Sequence, residues 1–203
     1  MTDSERPHIT LVYPKGIPSH PFDDFAESIS SENLNLRVHT EEPIMVRASI
    51  EDILPTAIFV YLAKPYFEAF LSEMGRDHYS LLKTATKKLF AKLPIISAHT
   101  LTSKGVAPGG SEYTATYSIL VDITSDTRFK FLFPENASDE ERDEILEAIF
   151  ELLEGNLGPD PIDFSALQSD QRASLLRTIP VRFNKKAQKF EAVNPLPPIQ
   201  KSD

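Results

Sequence analysis

The chain contains no cysteine. A disulfide framework, a thiolate zinc site, an iron–sulfur cluster and a cysteine nucleophile are therefore excluded together. Glycine is scarce as well, at 7 residues against 16 prolines. No phosphate loop, dinucleotide fingerprint, hydrolase elbow, zinc-protease helix or calcium loop can be traced. The Gly109–Gly110 pair joins two expected strands and does not open a helix, so it has no phosphate-binding geometry behind it. Long hydrophobic runs are also missing. The most apolar stretch, residues 53–71, is interrupted by Pro55 and Pro65 and carries Lys64 and Glu68, charges that a spanning helix would have to bury in hydrocarbon. The opening residues have mixed charge and lead into no apolar segment of secretory type. The cytoplasm is the expected compartment.

What is present describes a globular protein. The hydrophobic share is 41% and the charged share 25% of 203 residues, close to the averages for folded domains and of a size that builds its own core. The net charge of −9 disfavours broad nucleic-acid binding, which needs cations to displace phosphate counterions, and suits a basic partner.

Periodicity predicts the elements. Residues 8–13 read as a buried strand, Phe22, Phe25 and Ile29 recur at helical spacing, and residues 34–39 alternate as a second strand. Residues 45–48 allow a further short strand. Ser49 and Asp52 resemble a helix start, and residues 53–71 are expected to form two helices or one kinked at proline. Asp77 is placed to cap a helix ending before Pro94, with His78, Leu82, Ala85, Leu89 and Leu93 on one stripe and lysines opposite. Strands are expected over 95–103, 112–124 and 128–133, with Phe129, Phe131 and Phe133 on one side. Ser138 and Glu141 form a capping box for a helix marked by Ile145, Leu146, Ile149, Phe150, Leu152 and Leu153. A short helix over 169–177, a hairpin of 181–183 with 189–193, and an extended Pro-rich tail complete the chain. The implied class is α+β: a mainly antiparallel sheet, with room for mixed pairing, and helices on one face. The expected organisation is a compact domain over 1–157, with an extension over 158–203 packed on it.

Candidate chemistry is sparse. His8, His39 and His99 lie in or beside expected strands but have no metal-ligand spacing, so neither a metal nor a cofactor is implied. His78, with Asp77 and Glu68 nearby, is the weak catalytic candidate, because a carboxylate-held histidine can act as a general base; a core histidine beside a helix cap accounts for the same residues. The clearer features are two charged helix faces. One carries Lys83, Lys87, Lys88 and Lys92, and the other Glu140, Glu144, Glu147 and Glu151. Solvated faces would look the same. These faces make a non-enzymatic interaction module the leading expectation: an adaptor, a complex subunit or an immunity-type, toxin-neutralising protein, its partner another protein of basic character or a second copy of the chain. An enzyme with an unfamiliar, hydrolytic site is the alternative, and peripheral membrane contact through the lysine face with Tyr61, Tyr66 and Phe67 is a third.

Overall fold

A computed structural model describes residues 7–42, 56–64, 66–67, 76–93, 101–102, 105–106, 112–155 and 177–193. Its elements are β1 (Ile9–Pro14), α1 (His20–Ile29), β2 (Leu36–Glu41), β3 (Ile58–Leu62), α2 (Arg76–Lys92), β4 (Leu101–Thr102), β5 (Gly105–Val106), β6 (Tyr117–Asp122), β7 (Arg128–Phe131), α3 (Asp139–Gly155), β8 (Thr178–Asn184) and β9 (Lys189–Ala192). Seven strands form one sheet in the order β2-β1-β3-β6-β7-β8-β9, while β4 and β5 pair separately.

The sheet is mixed, which corrects the expectation of a mainly antiparallel one. Parallel pairs β1/β2, β3/β6 and β7/β8 alternate with antiparallel pairs β1/β3, β6/β7 and β8/β9. The reason lies in the connections. Each parallel pair is joined through a helix, α1, α2 and α3 in turn, as a crossover requires, whereas β6 to β7 and β8 to β9 are short hairpin links. Period-two patterning tells which face a residue takes; it does not tell which strand lies beside it.

A second correction concerns β3. Residues 58–62 are a central strand, not a helix. Ile58, Val60 and Leu62 are buried on the helix side while Phe59 and Tyr61 are half-buried on the other. A strand apolar on both faces hides its alternation and reads as a continuous run. The expected loop over 104–111 contains β5, which pairs back on β4. Lys64, Tyr66 and Phe67 just past β3 are helical, while residues 53–55, 65 and 68–71, the strand 45–48 and most of 95–103, the helix start at Ser49, nearly all of the 169–177 helix and the Pro-rich tail lie outside the described residues.

The core is built in rows across the sheet. Leu11, Val60, Ile119, Phe131 and Val181 stand in register, and beside them Ile9, Leu62, Val121, Phe129 and Ile179. All ten are at most 2% exposed. Over them lie Phe22, Phe25 and Ile29 from α1, Leu82, Ala85, Leu89 and Phe90 from α2, and Ile145, Leu146, Ile149, Phe150 and Leu153 from α3, so the helical stripes land where their spacing places them. Ser138 caps α3 as the capping box predicts, its Oγ accepting the Glu141 N–H at 3.2 Å. β8 tolerates Pro180 because its carbonyl points to the frayed end of β9, where it takes the Val193 N–H at 2.8 Å. The missing N–H would point to that same side.

Candidate functional site

α1 and α2 pack antiparallel: His78 reaches Ile29 at one end and Lys92 reaches Asp24 at the other. His78 is 4% exposed. Its Nε2 lies 2.7 Å from the Ile29 carbonyl oxygen, and its Nδ1 lies 3.2 Å from the Tyr66 hydroxyl. A carbonyl only accepts, so Nε2 carries the hydrogen and Nδ1 takes the hydrogen of Tyr66. Ile29 ends α1, where carbonyls have no partner within their own helix. His78 thus closes the C-terminus of a neighbouring helix. Asp77 stands exposed in the first turn of α2, where its charge suits the helix dipole, and Glu68 lies outside the described residues. Tyr66 is fully buried, and burial raises its hydroxyl well above the ordinary tyrosine range, so it takes no part in an exposed aromatic surface.

The two charged faces meet at Glu147. Lys83 and Lys87 both donate to Glu147 of α3. Burial works to raise the Glu147 carboxyl, but hydrogen bonds from the two lysines outweigh it and hold the group below its ordinary value. Tyr79 strengthens the same junction by donating to the Phe150 carbonyl at 2.5 Å. Glu144 accepts from Lys185 of the β8–β9 turn at 2.9 Å, which lowers its pKa. Glu140 is exposed at the start of α3, and the backbone N–H and Ser138 lower its pKa. Lys92 pairs with Asp24. Lys88 and Glu151 are exposed and stand in no ion pair among the described residues.

Between α1 and α2 the surface opens into a groove of about 410 Å³. Phe25, Ala85 and Leu89 form its floor, Asp24 and Glu27 stand on the α1 side, and Lys88 and Lys92 on the α2 side. Glu27 is exposed. The lysine side is legible in helical patterning; the acidic side is not, because α1 stands out in the sequence only by its apolar spacing.

A polar network on the opposite face of the sheet also escaped the sequence reading. Tyr61 on β3 donates its hydroxyl hydrogen to Asp122 on β6. Arg128 on β7 donates from Nε to Asp122 at 3.0 Å and from Nη2 to the Tyr61 oxygen at 3.2 Å, with its guanidinium 4.5 Å above the Tyr61 ring. Burial, then the Asp122 carboxylate, push the Tyr61 pKa up to about 12. Only register brings these residues together: Asp122 stands opposite Arg128, and Tyr61 opposite Leu120.

His8 precedes β1 and His39 lies within β2 opposite Val12, His99 lies outside the described residues, and no group of three His, Asp or Glu among the described residues is placed to hold a metal. No helix among the described residues is long and apolar enough to cross a membrane. The chain matches no family model, no curated protein and no solved structure.

Proposed function

We propose that the protein is a non-enzymatic protein–protein interaction module, in the manner of an adaptor, complex subunit or immunity-type protein, and that its partner is a basic protein seated on the α1–α2 groove. The observation that carries this reading is the groove itself, where the small apolar surface left by Phe25, Ala85 and Leu89, each at most 4% exposed, lies beside a charged rim. That is the layout of an anchor pocket, where a partner's long side chain lays its stem on apolar surface and its charge on the rim. Glu27 is the rim acid exposed to such a charge, since Asp24 is engaged by Lys92. The net charge of −9 would steer a basic partner toward the molecule and raise its association rate.

The test is affinity capture from the native host, followed by titration of the purified partner against variants. Glu27→Lys is expected to weaken binding at least about tenfold, a loss of about 1.4 kcal/mol, while Glu151→Lys on α3 leaves it unchanged. Reversing Lys83 or Lys87 would be a poor control, because it opens the clasp on Glu147 inside the chain. Undiminished binding to Glu27→Lys would remove the groove, and absence of any stoichiometric partner would remove the module.

A further inference from the structure

β2 is the outermost strand of the sheet and has no partner beyond it among the described residues. Arg37, Val38, His39, Thr40 and Glu41 are all exposed, so among the described residues nothing covers these five on either face or along the edge. Val38, at 39% exposure, continues the core row of Leu11 and Val60 past the cover of the helices. An edge in this state is a template for another strand unless it is blunted, commonly by like charges.

The backbone says which residues offer hydrogen bonds outward. The Asn35 carbonyl takes the His8 N–H at 2.8 Å, and the Glu41 carbonyl takes the Lys15 N–H at 2.8 Å, so the odd-numbered residues turn their polar groups toward β1. Val38 and Thr40 therefore present theirs outward. Leu36 presents only its carbonyl, because its N–H is turned back to Leu34 at 3.1 Å.

The charges are arranged about a centre. Arg37 and Glu41 flank His39 at equal distances and on the same face of the strand. We infer that two copies of this chain pair antiparallel along β2, with a two-fold axis at His39, and fuse their seven-stranded sheets into one. In this register Val38 and Thr40 of each copy exchange both backbone hydrogen bonds with Thr40 and Val38 of the other. The Leu36 carbonyl meets the Glu42 N–H at each end. Arg37 stands opposite Glu41 twice, at the closely spaced, non-hydrogen-bonded positions where cross-strand side chains interact best. Sliding by two residues either way keeps the ladder but loses both ion pairs, and sliding by one puts outward groups against inward ones, so the register is specified. An edge protected by repulsion would carry one sign of charge; β2 carries a self-complementary pair, which commits it to a second copy. The surface is separate from the α1–α2 groove, and the inference stands without the proposed function.

Sedimentation velocity on the full chain tests it. The wild type is expected to be a dimer at about 100 µM. Arg37→Glu and Glu41→Arg, each of which puts like charges opposite one another twice, should raise the dimer dissociation constant at least about tenfold. Mixed in equal amounts, the two variants should form a heterodimer, because both acids of the first then face the two arginines of the second. Val38→Pro removes only an outward N–H and should give a folded monomer by far-UV circular dichroism. A monomeric wild type, a dimer indifferent to Arg37→Glu, or failure of the two variants to pair would each overturn the inference.

Discussion

Replacing His78 by leucine should destabilise the protein by about 3 kcal/mol, through lost hydrogen bonds and not through lost volume. The two side chains are similar in size, so a large cavity is not the cause. What goes is the donor to the Ile29 carbonyl, 2.7 Å away at the end of α1, and the acceptor for the Tyr66 hydroxyl, 3.2 Å away. Depriving a buried polar group of its partner costs about 1–3 kcal/mol, which is the position of the Ile29 carbonyl, and the Tyr66 hydroxyl loses one of its contacts besides. For a chain of 203 residues each kcal/mol lowers Tm by about 2–4 °C, so a fall of about 6–12 °C is expected. Glutamine offers a control: its amide N–H can occupy the place of Nε2 and keep the bond to Ile29, so His78→Gln should lose about half as much. Tyr66→Phe should be less damaging in the His78→Leu background than alone, because the two share a contact. The assay is urea unfolding followed by far-UV circular dichroism, the chain having no tryptophan to report by fluorescence. A loss below about 0.5 kcal/mol for His78→Leu, in the range of ordinary surface changes, would refute the helix-closing role and return His78 to the list of groups kept for chemistry.

Three further outcomes are expected. Phe150→Ala, which removes a ring 1% exposed between Tyr79 and the sheet, should cost about 3–5 kcal/mol in the same unfolding assay. Glu147→Gln should cost no more than about 1 kcal/mol at neutral pH, since the clasp is partly exposed. The folded-state pKa of Glu147 is depressed, so its contribution is present above the unfolded value and fades as pH falls through the folded one. The wild-type and Glu147→Gln stabilities should therefore converge as pH falls below the ordinary glutamate range and through the depressed folded-state value. Tyr61, raised to about 12, holds its proton more tightly when folded, so stability falls as pH rises from about 10 toward 12; Tyr61→Phe should flatten that fall and remove one late step from the alkaline absorbance titration, ahead of the more deeply buried Tyr66 and Tyr79.

How far the sequence could be read depends on the range of each signal. Local signals were reliable: the stripe of His78, Leu82, Ala85 and Leu89 is buried on α2 with Leu93 buried just past its end, Phe129, Phe131 and Phe133 are buried together, and the Ser138 cap is in place. Each needs only neighbours within one element. Pairing was not legible. Ile58–Leu62 sits between β1 and β6, strands about 50 residues before and after it in the chain, and nothing within that apolar run distinguishes a central strand from a buried helix.

The same limit governed the candidate site, with one instructive reversal. Lys83, Lys87 and Glu147 were visible as charged faces, but a face becomes available to a partner only if the fold does not use it, and here α2 and α3 lie side by side with those charges between them. The groove beside Lys88 and the bare strand around His39 are what the internal pairing leaves over. Neither could be located from charge patterning alone, because availability belongs to the packing of two elements and composition to one. A surface search guided by sequence would have mutated lysines already engaged by Glu147 inside the chain; guided by the fold, it begins at Glu27 and Arg37.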